Sequence, residues 1–322
     1  MAVYTEVGDE ELEDFLAPYG LGTLLAAKGI AEGVENSNYL IETESGRYIL
    51  TLYEKRVQPA DLPFFITLMR HLAAEGIACP QPVPTGEGEV LRRLAGRPAA
   101  LFTFLGGLSP RQVKDWHCDA VGATLADLHL ATKGFGQERR NDLSLAGWRT
   151  LISDCRSGAD TVSQNLRGEL DEAYRAIAGA WPKALPGGVI HADLFPDNVF
   201  FLGEGLSGVI DFYFACSDFY AYDLAICLNA WCFDGAHNYV PERGQRLVRA
   251  YAAKRPLSPA EFQALPTLAA GAALRFLLTR LYDWLNHPAD AMVRPKDPRE
   301  YLTKLRYHRI ADSPEAYGLV QP

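Results

Sequence analysis

Residues 187–215, GGVIHADLFPDNVFFLGEGLSGVIDFYFA, constrain this chain more than any other stretch. His191, Asp193, Asp197, Asn198 and Asp211 crowd among very apolar neighbours. A polar loop between buried strands is costly unless its groups are satisfied or used. Two strand-like pieces, Val199 to Leu202 and Ser207 to Asp211, follow the loop. Asp193 and Asn198 stand five apart, and Asp211 closes the second strand, 18 residues after Asp193. A hairpin bends such residues into one mouth.

That set suits phosphoryl transfer. The chemistry needs a carboxylate that orients a hydroxyl and accepts its proton, and oxygen ligands for Mg2+ on the phosphates. Asp193 fits the first role. Asn198 and Asp211, both hard oxygen donors, fit the second. An Asp, an Asn five residues on and a strand-terminal Asp follow the order of the eukaryotic-kinase scheme. Asp193 and Asn198 alone are more often a turn or a helix cap; the strand VIDF and the sheet upstream favour the chemical reading. His191 is expected to brace the loop by hydrogen bonds, and Asp197 to shape it or face solvent.

Upstream, residues 5–20 read as a short acidic helix. Asn38 to Thr43 and Arg47 to Tyr53 alternate in character and read as a hairpin, entered by a glycine-bearing turn at 24–38. Leu62 to Gly76 reads as a helix ending at its glycine. Glu89 to Leu94 and Ala99 to Leu105 read as strands, closed by Gly106 and Gly107. The remainder is mostly helical: Val113 to Leu130 carries a 3.6-residue apolar period, and Leu166 to Trp181, Ala221 to Cys232 and Leu265 to Leu285 follow. The expected architecture is α+β, a small antiparallel-sheet lobe at 1–105 that binds nucleotide and a helical lobe at 106–322 that carries catalysis and the acceptor. A cleft between such lobes is a usual place for ligands.

At 322 residues the chain can bury a core without disulfides or structural metal. Its 15 Tyr, 15 Phe and 5 Trp exclude a disordered polymer. A net charge of -9 with no basic patch argues against nucleic acid as a partner. The start, MAVYTEVGDEELEDFL, has no basic segment or apolar signal. No run of 18 uncharged apolar residues predicts a membrane span. The six cysteines form no CxxC pair, so reduced thiols and a cytoplasmic location are expected.

HADLFPDNV followed by VIDFYFA resembles the H-G-D-L-x-x-x-N and I-D-F signatures of the aminoglycoside phosphotransferase and choline kinase superfamily, whose members are protein-kinase-like in fold. GVENSNYLIET, YILTLYEKR, DLPFF, GRPAALFTFLGG and VGATLADLHLAT are similar to its bacterial homoserine kinase branch. The resemblance implies ATP and Mg2+ as cofactors and phosphorylation of the L-homoserine hydroxyl, a step of threonine synthesis. It implies Asp193 as base and Asn198 and Asp211 as metal ligands. Gly33 through Asn38 match the loop over the phosphates, with backbone amides as a cradle and Asn36, Ser37 and Asn38 within it. Phe102 to Leu105, including Phe104, match the adenine-binding connector. One departure stands out: the superfamily's third-strand Lys or Arg is matched by Thr51, and Lys28, Lys55 or Arg56 are the cations nearby in sequence.

An amino-acid acceptor carries an ammonium and a carboxylate, so its site needs opposite charges or amides. Asp218, Trp231 and Arg280 are the candidate contacts, with Arg275 on the same long helix as Arg280. Asp223 matches a family aspartate that braces the catalytic loop. Kinases of choline, methylthioribose or aminoglycosides remain alternative readings, as does a nucleotide-binding pseudokinase, for which Thr51 is the support. The chain is read as a monomer or homodimer.

Overall fold

The computed structural model describes residues 5–30, 36–54, 57–287 and 295–321. It divides into two compact units. The first takes in residues 5–107 and also 207–213; the second takes in 108–206, 214–287 and 295–321.

The first unit opens with α1 (Asp9–Leu16), continued by a 3-10 turn at Ala17–Tyr19. Strands β1 (Leu24–Gly29), β2 (Ser37–Thr43) and β3 (Gly46–Leu52) follow, then α2 (Leu62–Ala74), β4 (Arg92–Leu94) and β5 (Arg97–Thr103). The strands form one antiparallel sheet in the order β1-β2-β3-β5-β4. Its register aligns Tyr39, Leu50 and Leu101 across three strands. These apolar side chains share one face, and Leu12, Phe15, Leu16 and Tyr19 cover it. On the other face the same register aligns Asn38, Thr51 and Ala100. Gly76, at φ +86°, ends the α2 segment as expected of a left-handed glycine.

The turn expected at 24–38 is a strand over its first part. β1 was not legible because it presents no buried face: its four central residues are all exposed, so no apolar alternation marks it.

The second unit is mostly helical. It contains α3 (Asp115–Ala131), α4 (Leu145–Cys155), α5 (Ala159–Val162), α6 (Leu166–Ala180), α7 (Tyr220–Trp231), α8 (Pro241–Lys254), α9 (Pro259–Leu285) and α10 (Arg299–His308). Gly122 lets α3 lie close against α8, since a Cβ there would run into the Leu247 carbonyl. Ser258 starts α9 with a reciprocal cap: its hydroxyl accepts from the Glu261 amide, and Glu261 accepts from the Ser258 amide. By length and composition α9 is apolar enough to cross a membrane, but 78% of its most apolar stretch is buried inside the protein. It is the central core helix.

Four further strands position the motif: β6 (Gly187–Ile190), β7 (Val199–Leu202), β8 (Gly205–Val209) and β9 (Cys216–Phe219). β6 pairs antiparallel with β9, and β7 pairs with β8. The six cysteines are all free and buried. Burial pushes the Cys79 and Cys216 thiols up to about 12.

Around α10 lies a buried polar network. Arg280 and Lys304 both donate to Glu300, at 2.6 and 2.7 Å, and Lys304 also donates to the Asn229 carbonyl. Asn229 Nδ2 donates to two helix carbonyls, so its Oδ1 accepts from His308 Nε2 at 2.9 Å. His308 Nδ1 then accepts from the Tyr317 hydroxyl. Burial, with Lys304 adding to it, holds His308 neutral and lowers its pKa from 6.5 to about 3. Burial opposes ionisation of Glu300, but Lys304 and Arg280 outweigh it and bring its pKa to about 2.

Both groups make the fold acid-sensitive. Between pH 6.5 and 3 the unfolded chain binds a proton at His308 that the folded chain refuses, so stability rises with pH. The His308 slope is at most about 1.4 kcal/mol per pH unit. Stability from ionised Glu300 is present above its ordinary 4.5 and is lost as pH falls toward 2. Urea unfolding across this range is expected to show the decline, and His308→Gln is expected to flatten it between pH 6.5 and 4.5.

Candidate active site

The loop after β6 is held from both sides. The Asp223 carboxylate on α7 accepts from the amides of His191 and Ala192, at 2.7 and 2.9 Å. It also accepts from His129 Nε2 on α3 at 3.1 Å. His129 Nδ1 is 2.7 Å from the Tyr251 hydroxyl on α8. Burial pushes the His129 pKa down and outweighs the pull of Asp223, so the ring is neutral. Burial pushes the Tyr251 phenol up, so it keeps its proton and donates to Nδ1. Burial would raise Asp223, but the His129 bond, the two histidines and the His191 amide outweigh it, and its carboxyl lies below the usual carboxylate range.

Each loop carbonyl from 192 to 195 has a partner, as buried backbone requires. Arg275 on α9 donates to the Ala192 carbonyl at 2.6 Å. Asn198 Nδ2 donates to the Asp193 carbonyl at 2.8 Å and to Asp193 Oδ2 at 3.2 Å. The Trp231 indole donates to the Leu194 carbonyl at 2.7 Å, and the Asn198 amide donates to that of Phe195. His191 Nδ1 accepts from the Asp193 amide at 3.2 Å. The structure thus brings Asp193 and Asn198 together, with His191 as the expected brace. Asp197 faces outward and pairs with Lys296.

Asp211 belongs to the first unit. It does not close β8, which ends at Val209; it stands two residues beyond, in the left-handed region at φ +65°. Among non-glycine residues aspartate tolerates that region comparatively well. The 207–213 segment is fixed by Val209, whose amide donates to the Ala78 carbonyl, and by Ser207, whose hydroxyl donates to that of Gly106. Beyond Asp211, Tyr213 lies edge-on to Tyr53 with their hydroxyls 3.2 Å apart. Burial is the main cause raising both phenols, and the Asp211 charge adds to it.

Gly33 lies outside the described residues, as do Lys55 and Arg56. Asn36 is buried, and its Oδ1 accepts from the Glu54 amide at 3.3 Å. Ser37 is a correction: it is fully buried and its hydroxyl donates to Glu54, at 2.8 Å, so it holds the strand ends together and does not face a phosphate. Asn38 Oδ1 accepts from the Thr51 hydroxyl at 2.8 Å, which leaves its NH2 as the available donor. Thr51 is therefore half of a cross-strand polar pair. Lys28 is exposed on β1. Phe102 is buried within β5, whereas Phe104 follows the strand, partly exposed, under the Arg47 guanidinium.

Two acceptor-side expectations change. Trp231 is fully buried and its only polar atom is spent on Leu194, so it supports the loop and does not meet an acceptor. The charge of Arg280 is taken by Glu300, with its guanidinium 4.4 Å from the Tyr301 ring centre. Asp218 on β9 accepts from Asn141 Nδ2 and the Phe219 amide, and burial raises its pKa above the ordinary value despite both bonds. Sequence reasoning gave Arg275 no role at the loop. Its signal was present: a single arginine inside AALRFLL, where every neighbour is buried.

The phosphotransferase enzyme family (APH) matches residues 26–257. A protein of Parvibaculum lavamentivorans described as homoserine kinase is 57% identical over 319 residues, covering 99% of each chain. One of Xanthobacter autotrophicus with the same description is 59% identical over 319 residues, again covering 99% of each. Among solved structures, an amicoumacin kinase bound to AMP-PNP and Ca2+ matches with TM-score 0.67 at 15% identity, covering 96% of this chain and 93% of its own. A microcompartment-associated aminopropanol kinase matches with TM-score 0.67 at 17% identity, covering 98% of this chain and 100% of its own. These two share the fold: an antiparallel-sheet lobe and a mostly helical one.

Because one carboxylate holds two loop amides, Asp223→Asn is expected to lower the unfolding free energy by about 1.5–3 kcal/mol. Hydrogen exchange should also quicken at the His191 and Ala192 amides. Urea titration and exchange mass spectrometry check both.

Proposed function

We propose a homoserine kinase, and the premise is that the chain belongs to the phosphotransferase enzyme family. The reaction is transfer of the γ-phosphoryl group of ATP to the side-chain hydroxyl of L-homoserine, giving O-phospho-L-homoserine and ADP. The observation that carries the reading is Asp193: a carboxylate on a loop whose carbonyls from 192 to 195 are tied down, held at one oxygen by Asn198. The full-length relatives support the choice of acceptor.

In this reading Asp193 orients the acceptor hydroxyl and takes its proton as the oxygen attacks phosphorus. Asn198 has two tasks. Its NH2 points at Asp193, which turns Oδ1 away as a hard oxygen donor. By donor chemistry Asn198 Oδ1 and the Asp211 carboxylate are each suited to Mg2+, an amide oxygen and a carboxylate being the donors such an ion prefers. When bound, the ion neutralises charge on the phosphates. Asn38 NH2 and the backbone near Asn36 are the described candidates for phosphate contact, and the backbone past Phe102, at Phe104 and Leu105, for the adenine edge.

A choline acceptor would call for an open aromatic cage. Of the aromatics the sequence offers for one, at 212–222 and Trp231, Phe212, Tyr220, Tyr222 and Trp231 are buried in packing, and only Tyr213, Phe214 and Phe219 are partly exposed. Retention of Asp193, Asn198 and Asp211 together argues against a pseudokinase, whose support was Thr51.

ADP release from Mg-ATP tests the reading, with L-homoserine, L-serine, choline, methylthioribose and kanamycin offered in parallel. The expected result is a selective homoserine signal. Asp193→Asn is expected to lower kcat by about 10² to 10⁴ while leaving ATP affinity near the wild-type value. Wild-type turnover in that variant would remove Asp193 as the base.

A further inference from the structure

Ala192 sits where the family signature quoted above has glycine, and it adopts the left-handed conformation that glycine suits, at φ +63°. An L-alanine there is strained, because its Cβ crowds the following carbonyl oxygen. Strain of this kind persists only where the surroundings over-determine the backbone. The two peptide planes flanking Ala192 are both gripped. Asp223 Oδ1 accepts from the Ala192 amide at 2.9 Å, which fixes rotation about N–Cα. Arg275 donates to the Ala192 carbonyl at 2.6 Å, which fixes rotation about Cα–C. The second plane carries the Asp193 amide, bonded to His191 Nδ1.

Arg275 is 2% exposed, with the Phe276 and Phe214 rings 4.5 and 5.6 Å from its guanidinium carbon. Its Nε has no hydrogen-bond partner, and its charge acts on the nearby Asp218 carboxylate and Tyr222 hydroxyl without a direct ion pair among the described residues. Its described hydrogen bond is the one to Ala192. A group so enclosed acts through the loop and does not meet solvent-borne ligands.

We propose that Arg275 is a positioning residue: it locks Ala192 in the left-handed conformation and so fixes the backbone from which Asp193 reaches the acceptor hydroxyl. The proposal rests on Asp193 being the catalytic base.

A double-mutant cycle tests it. Arg275→Met keeps an apolar stem of similar length and removes the donor; Ala192→Gly removes the strain. Both are measured alone and combined in the full chain, with kcat and KM for Mg-ATP and L-homoserine. R275M is expected to lower kcat about tenfold or more with both KM values within about threefold. In the A192G background the same substitution is expected to cost less than about threefold in kcat. A loss of the same size in both backgrounds overturns the proposal, and so does a loss carried by KM. If R275M does not fold, Arg275→Lys enters the same cycle and is read by the same two criteria. A wild type active only on another acceptor removes the homoserine reading and leaves the cycle decisive on that acceptor. A wild type that turns over no acceptor overturns both.

Discussion

The Asp223 carboxylate is the constraint to which the loop after β6 answers. It is a fully buried ion, and such an ion is tolerable only when its lone pairs are filled. The chain fills them with two consecutive amides, from His191 and Ala192, and with the Nε2–H of His129. Those donors come from the loop after β6 and from α3; the carboxylate comes from α7. Tyr251 on α8 fixes the histidine tautomer. Three helices and one loop therefore converge on a single charge. The loop geometry is set from beneath, by buried atoms.

What rests on that base is narrow in its possibilities. Asn198 closes the loop onto Asp193 through backbone and side chain alike. Arg275 and Trp231 take the two carbonyls on either side of Asp193. In the first unit Asn38 and Thr51 form a cross-strand polar pair through the Thr51 hydroxyl.

Legibility followed locality. The Asp193 and Asn198 pair could be read because its spacing is short and its neighbours are apolar. The sheet strands could be read where one face is buried, as in β2, β3 and β5, and not in β1. The partners of Ser37, Trp231 and Arg280 (Glu54, Leu194 and Glu300) could not be read, because each comes from another turn of the chain. Asp211 was placed at a strand end because VIDF reads as strand, yet Ile210 and Asp211 lie past the last paired residue. Arg275 was visible as an oddity inside an apolar helix, but the carbonyl it serves lies 83 residues away.

The sheet of the first unit also has two edges, and their chemistry bears on how the protein behaves in a crowd of its own copies. An open strand edge is a template for another chain, and long, flat, apolar edges recruit best. β4 forms one edge with three residues, two of them Arg92 and Arg93. β1 forms the other, where the register slips between Leu24 and Ala26 and Lys28 projects near its end. A slipped register twists the edge away from a flat partner. Leu25, 61% exposed, sits inside that slip and so cannot extend a regular ladder. The strand hardest to find in the sequence is thus the one shaped to be left alone by other strands.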